Sequence, residues 1–260
     1  MDSINCGWKN PEGFPDLTEN QVHVWRIKIS EFFNQAIEFE RLLDAAEKKR
    51  AHQFKFSDSR TNFIICRGAL RFLLSQYQQN NPLSIEIQQN TDGKPILAEK
   101  SHPLDLEFNI SHSDDICLIA ISRNLELGID VEAVKPLTDL KALAKTFLSE
   151  KELAAFTAAN PEKKRDMFYD IWSAKEALLK SVGCGLKIHP NQIDLNQVCE
   201  KKALFVKHNS ELINVPQIEM KQLNGLSGYT AWLAAAGEIG KISTLIFSAG
   251  YFSTLSGSLA

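Results

Sequence analysis

The chain has 260 residues, 44% of them hydrophobic and 23% charged, with a formal net charge of −3. That balance is close to a soluble globular average, argues against a disordered chain, a collagen or a coiled-coil rod, and leaves room for one large domain or two small ones. The slight acidity argues against nucleic-acid binding over the whole surface, and the five widely spaced cysteines, with no C-x-x-C pair, argue against a thiolate zinc site and fit a reducing, cytoplasmic setting.

The N-terminus Met1-Asp2-Ser3 has no basic region followed by an apolar stretch, so no signal peptide is expected. Residues 22–27 alternate between apolar and polar and predict a strand. A charge-rich helix is expected over 32–50. Asp58 is placed to cap a helix over 59–79, in which Phe63, Ile64, Leu70, Leu73 and Leu74 recur at helical spacing. Pro82 ends it. Residues 85–87 predict a short strand and 91–95 a turn. Strands are expected at 107–110 and 115–121, with the Ser111-His112-Ser113-Asp114 segment between them, and again at 127–131. The longest apolar run, 116–121, is too short to span a bilayer, so no membrane association is expected. A helix is expected over 138–147, and Ser149 with Glu152 forms a capping box for the next. A longer helix over 165–182 should stop at Gly183-Cys184-Gly185. The remainder reads as strands at 192–195, 203–207, 217–221, 229–235 and 242–248. A weak internal echo accompanies this order: Phe56-Ser57-Asp58 leads to Arg67-Gly68-Ala69-Leu70, as Leu148-Ser149-Glu150 leads to Lys175-Glu176-Ala177-Leu178.

Four groups of residues carry possible chemistry. In Gly128-Ile129-Asp130-Val131-Glu132, a strand would place Asp130 and Glu132 on one face and Ile129 and Val131 on the other. Two hard carboxylates on one face suit Mg²⁺, although an ordinary half-buried strand shows the same alternation. On the long helix Trp172, Glu176 and Lys180 share a face, opposite an apolar stripe of Met167, Ile171, Ala174, Leu178 and Val182. Glu176 and Lys180 are an i, i+4 pair, which in isolation would be a surface salt bridge. Ser111 and His112 at a strand end could donate to phosphate oxygens. A Ser-His-Asp hydrolase fits poorly, because adjacent Ser and His do not form the usual nucleophile–base geometry and no G-x-S-x-G is present. Between Arg41 and Arg71, eight basic residues face three acids, a local +5 that suits a polyphosphate ligand or a solvated helix face. Neither G-x-x-x-x-G-K-[ST] nor G-x-G-x-x-G occurs.

The ordered set Gly93-Lys94-Pro95, Asn109-Ile110-Ser111-His112-Ser113, Gly128 to Glu132, Phe147 to Glu152, Trp172-Ser173-Ala174-Lys175-Glu176-Ala177 with Lys180, and Gly183-Cys184-Gly185-Leu186 resembles the Sfp-type 4′-phosphopantetheinyl transferases. Its Trp-x-x-Lys-Glu-Ala form is similar to the branch found in cyanobacterial and eukaryotic members. The resemblance implies an α+β pseudo-dimer of two similar subdomains, each a small, mainly antiparallel sheet packed on a long helix, with halves at 1–125 and 126–260. It implies transfer of the phosphopantetheine arm of coenzyme A to a serine of an acyl or peptidyl carrier protein, with Mg²⁺ required and adenosine 3′,5′-bisphosphate released. Carried over, Asp130, Glu132 and Glu176 would hold the metal. Glu176, Lys180 and His112 would form the catalytic set, and Lys94, Ser111, His112, Arg50, Lys48 and Arg60 would bind coenzyme A. A monomer is implied, since two halves in one chain complete the cleft internally. The carrier is expected to dock on 135–148, where Lys135, Lys141 and Lys145 accompany Leu140, Leu143 and Phe147. A Mg²⁺-dependent nuclease and a noncatalytic coenzyme-A- or carrier-binding module are the alternatives.

Overall fold

The structure, a computed structural model, describes residues 2–91, 93–98, 105–183, 188–199, 204–208, 211–215 and 217–256. The expected Asp92 and the Cys184-Gly185-Leu186 segment lie outside the described residues. The alternation at 22–27 becomes strand β2 (Gln21–Lys28), preceded by β1 (Asp2–Asn5). The charge-rich stretch is not one helix. It divides into a 3-10 segment (Ile29–Gln35), α1 (Ala36–Arg41) and α2 (Ala45–His52). Asp44 leaves helical geometry and caps α2 in a reciprocal box with Glu47, which satisfies the first backbone donors of a new helix.

Helix α3 (Ser57–Gln78) begins before the expected cap: Phe56 occupies the cap position and Asp58 lies in the first turn, where its charge favours the helix dipole. A 3-10 turn at Pro82–Ser84 displaces the next strand to β3 (Ile87–Gln89), which pairs with β4 (Pro95–Leu97). Strands β5 (Leu106–Ser113) and β6 (Ile116–Arg123) are longer than expected, so Ser111, His112 and Ser113 belong to β5 rather than to a loop. Then come β7 (Leu127–Ala133), α4 (Leu140–Phe147), α5 (Glu150–Ala158) behind the expected Ser149–Glu152 box, and α6 (Pro161–Val182). Helix α6 starts a turn earlier than expected because Asn160 caps it and Pro161 fits its first position. It stops at Gly183, whose φ of 67° is the left-handed geometry of a helix end. The strand expected at 192–195 is absent; a 3-10 turn (Pro190–Gln192) leads into α7 (Leu195–Cys199). Strands β8 (Leu204–His208), β9 (Glu211–Val215), β10 (Ile218–Asn224), β11 (Tyr229–Ala236) and β12 (Lys241–Phe247) precede α8 (Ala249–Ser256). Cys6, Cys66 and Cys117 are buried and free. Among the described residues no helix is long and apolar enough to cross a membrane.

Two four-stranded sheets organise the chain, in the orders β12-β2-β6-β5 and β1-β10-β11-β7. Each half contributes a strand, a 22-residue helix and two further strands, and in each sheet the last of these strands lies between the first and the penultimate. This makes the fold α+β with two similar halves. The terminal strands are exchanged. β12 pairs in parallel with β2 of the first half, and β1 pairs in parallel with β10 of the second.

Strand alternation then builds four layers. Trp25 and Ile27 of β2, with Cys117, Ile119 and Ile121 of β6, face α3. Val22, Val24, Leu118 and Ala120 face the other sheet, where they meet Ile129, Val131, Ala231 and Leu233. On its outer surface the second sheet offers Trp232 and Ala234 to Phe168, Ile171, Ala174 and Leu178 of α6. Gly128 sits on that outer surface. A Cβ there would stand 1.9 Å from Ala177 O and 2.4 Å from Ser181 N, so only glycine lets α6 approach β7 this closely.

Gly128→Ala should therefore destabilise the protein by at least ~2 kcal/mol, since both obstructing groups are helix backbone. Gly7→Ala, which meets nothing within 4 Å, should stay within ~0.5 kcal/mol of the parent in the same denaturant titration.

Candidate active site

The outer surface of β7 carries Gly128, Asp130 and Glu132, as the alternation predicts, with Leu127, Ile129 and Val131 buried beneath. Because Gly128 admits the helix, Lys180 of α6 reaches this strand. Its Nζ donates to Asp130 Oδ1 at 2.7 Å, to Ile129 O at 3.2 Å and to Ser111 Oγ at 3.2 Å. The expected Glu176–Lys180 pairing thus gives way to a longer-range one. Asp130 is buried and offers a stronger partner than a neighbour along the helix surface.

Strands β5 and β7 lie against each other where the two sheets meet. Side chains of β5 stand in for a backbone ladder at this seam. Asn109 Oδ1 accepts from Ile129 N at 2.8 Å, Ser111 Oγ donates to Asp130 Oδ1 at 2.9 Å, and Ser113 Oγ donates to Glu132 Oε2 at 2.9 Å while accepting from Ala133 N. These three residues share a face because they are two apart. His112 points the other way, with Phe108 and Ile110, and is exposed at its end of β5. The expected Ser111–His112 pair is thereby split. Ser111 joins the carboxylate network, and His112 does not.

The electrostatics are those of carboxylates held against their preference. Asp130 Oδ2 is buried without a hydrogen-bond partner. Burial raises the pKa of Glu132, and the charges of Asp130 and Glu176 push the same way against the opposing pull of Ser113 and Lys180. Burial also raises Glu176; Lys180 opposes this and Asp130 adds to it. The protein packed around His112 strips part of its hydration although one edge stays exposed, and this lowers its pKa, helped by the charge of Lys180. Three hard oxygen donors, one of them orphaned, suit a divalent cation in chemistry. Among the described residues no three Asp, Glu, His or Cys side chains already converge as a closed metal cluster.

Glu176 and Lys180 line one wall of a cavity of about 310 Å³, with Lys94, Pro95, Asn109 and Ile110 opposite. Lys94 Nζ donates to Leu127 O at 2.9 Å and Lys180 O at 2.8 Å, so it also joins the β3–β4 hairpin to the end of α6. Of the basic stretch, Arg60 pairs with Glu40 at 3.4 Å and Arg50 lies over the Phe63 ring at 5.4 Å; Lys48 is half-buried on α2. Two arginines that the charge count does not distinguish behave differently. Arg71 is consumed by Asp44, Glu47 and the carbonyls of Pro82 and Ile85. Arg67 pairs with Glu47 through Nε at 3.2 Å, but its buried Nη1 has no hydrogen-bond partner. Lys175, beside Glu176, is fully buried, donating to Phe147 O and Pro190 O and paired with Glu152 of the capping box. Trp172 stacks on Phe147 with ring centroids 4.8 Å apart. Helical periodicity places these side chains on faces but does not name their partners.

Residues 126–230 match the 4′-phosphopantetheinyl transferase superfamily, and residues 25–124 match the 4′-phosphopantetheinyl transferase N-terminal family. Over 174 residues the chain is 34% identical to "4′-phosphopantetheinyl transferase HetI" of Nostoc sp., covering 66% of this chain and 73% of that one. It is 29% identical over 189 residues to "L-aminoadipate-semialdehyde dehydrogenase-phosphopantetheinyl transferase" of Homo sapiens, covering 66% of this chain and 61% of that one. A crystal structure of holo-[acyl-carrier-protein] synthase from Thermotoga maritima overlays 44% of this chain and 63% of that one, with a TM-score of 0.29 and 18% identity.

The raised carboxylates make a prediction about stability. A carboxyl whose folded pKa lies above the ordinary glutamate value of 4.5 is ionised more easily in the unfolded chain, so it costs stability as pH rises through that window. Glu132→Gln and Glu176→Gln should each melt higher than the parent at pH 7 without divalent cation. At pH 4 the difference should vanish, as thermal unfolding at the two pH values will show.

Proposed function

The chain belongs to the 4′-phosphopantetheinyl transferase superfamily, and from that premise we propose that its carboxylate site moves the 4′-phosphopantetheine arm of coenzyme A onto a serine of an acyl or peptidyl carrier protein. One observation carries the assignment to these residues: Glu176 and Lys180 line the cavity beside Asp130, whose Oδ2 is buried and unpartnered. In the reaction Glu176 accepts the serine proton. The serine oxygen bonds to the phosphorus on the pantetheine side of the pyrophosphate. The P–O bond to the second phosphate breaks, and its electron pair leaves with adenosine 3′,5′-bisphosphate. The raised pKa of Glu176 makes its ionised form a better base.

Asp130, Glu132 and Glu176 would hold Mg²⁺, and their hard oxygen donors fit it. When bound, the ion would neutralise charge on the pyrophosphate and its leaving group. Lys180 keeps Asp130 in place and offers positive charge to a phosphate in the cavity. Lys94, which lines the same cavity, and His112 contribute donors toward the coenzyme A phosphates. Arg67, which does not line that cavity, joins Lys48, Arg50 and Arg60 as a phosphate candidate through its unpartnered Nη1. Ser111 acts indirectly, holding Asp130 and Lys180 together. We place the enzyme in the cytoplasm as a monomer. For the carrier, α4 presents exposed Lys141 and Lys145 beside the partly exposed Leu143, which suits an acidic partner surface. Lys135 is already paired with Asp114 at 2.8 Å.

Incubation with fluorescent coenzyme A, Mg²⁺ and a carrier protein should give covalent label. Binding without label would leave only a noncatalytic module, and DNA cleavage would favour a nuclease. Glu176→Gln keeps shape and removes the base, so labelling should fall by about 10²–10⁴-fold. Wild-type labelling at saturating Mg²⁺ would sink the mechanism. Reversing Lys141 and Lys145 to Glu should slow carrier association at low salt and spare coenzyme A binding. Unchanged carrier kinetics would remove α4 as the docking element.

A further inference from the structure

The N-terminal half of α6 holds a carboxylate that the proposed reaction does not use. Asp170 Oδ1 accepts from Gln222 Nε2 on β10 at 2.6 Å, and from Thr230 Oγ1 at 3.0 Å and Trp232 Nε1 at 2.8 Å on β11. Three donors from two strands thus meet at one oxygen of the helix. The strand register gives this arrangement its meaning. Thr230 stands opposite Glu132 and Trp232 opposite Asp130. Opposed residues on antiparallel strands share a face. The two donors from β11 are therefore the cross-strand neighbours of the two strand carboxylates.

Glu176 follows six residues later on the same helix, about 9 Å along its axis. Beyond it, α6 is located on β7 by the Gly128 contact, by Lys180 on Asp130 and by Lys94 on Lys180 O. Toward the N-terminus, the packing of Phe168 and Ile171 holds the helix down. Apolar packing is non-directional, so it resists lifting more than sliding or rolling. Hydrogen bonds converging from two strands resist both. A cavity of about 760 Å³ opens beside this end of the helix, lined by Met167, Asp170, Gln222 and Thr230, so packing alone leaves room for movement there.

We infer that Asp170 is a positioning residue: by tying α6 to Gln222, Thr230 and Trp232 through one oxygen, it sets where Glu176 and Lys180 stand relative to Asp130 and Glu132. The inference rests on the transfer reaction proposed above for its kinetic consequence, but not for its geometric one.

Asp170→Ala removes all three bonds and leaves the apolar stripe intact. It should lower kcat by about 10- to 100-fold, because small displacements of reacting groups carry penalties of that size. KM for coenzyme A should change by a smaller factor than kcat, since Lys94, Lys48, Arg50, Arg60 and Arg67 are carried on other elements and only Lys180 moves with α6. Asp170→Asn keeps a carbonyl oxygen for the same donors and should restore kcat to within about 5-fold of the parent. A purely structural Asp170 predicts lower thermal stability with unchanged kcat per folded molecule, and that result overturns the inference. If Asp170→Ala does not fold, Thr230→Val and Gln222→Ala each delete one donor; both should lower kcat, and wild-type kcat in both overturns it. If the parent labels no carrier, the proposed activity fails instead. Crystal structures of the parent and Asp170→Ala then decide the geometric claim: a shifted α6 relative to β7 supports it, and an unmoved α6 ends it.

Discussion

The close approach of α6 to β7 at Gly128 is the constraint on which the rest of the site depends. A Cβ at that position would collide with helix backbone, which cannot step aside as a side chain can. With the helix this near, a lysine on α6 reaches a carboxylate and a carbonyl of the strand at once. Moving the helix outward by the width of a methyl group would replace those direct contacts with water. The loss of one side chain therefore links fold to chemistry more directly than any catalytic residue does.

Around that contact, polar groups are matched in register rather than scattered. Asn109, Ser111 and Ser113 of β5 take the place of a backbone ladder along β7, so the seam between the sheets is closed by side chains. This arrangement buries carboxylates beside one another, which disfavours the ionised forms of Glu132 and Glu176 and leaves Asp130 Oδ2 without a partner. Without a divalent cation, ionising Glu132 and Glu176 at such a site costs stability. The same features favour a bound cation and a base of useful strength, a familiar opposition between stability and function.

The surrounding cations divide into two kinds. Arg71 and Lys175 are buried and bound to carboxylates and carbonyls, where they join loops and helix ends. Removing either would strand acidic groups and carbonyls in the interior. Lys94 and Arg67 are only partly engaged, Lys48 is half-buried on α2, and the exposed Arg50 lies over the Phe63 ring. The local +5 of this stretch is therefore part scaffold and part available charge. The exchanged strands β1 and β12 complete the scaffold by tying each end of the chain to the opposite half.

Several features of this protein were legible in its residues alone, because they are decided within a few positions. Alternation along 128–132 put Asp130 and Glu132 on one face, since a strand repeats every two residues. The Ser149–Glu152 box, the Gly183 stop and the helical face of Glu176 and Lys180 followed from local capping and periodicity. The ordered motifs also pointed to the family and to two similar halves. Other features required the folded chain. Nothing local says that β5 runs on through Ser113 and turns Ser111 and His112 to opposite sides. Nor does spacing say that Lys180 prefers Asp130 to Glu176, that Lys175 is buried, or that Asp170 collects donors from two distant strands. Those choices depend on which surfaces meet. A charged side chain binds the partner that burial and distance make strongest, and only the tertiary structure brings that partner within reach.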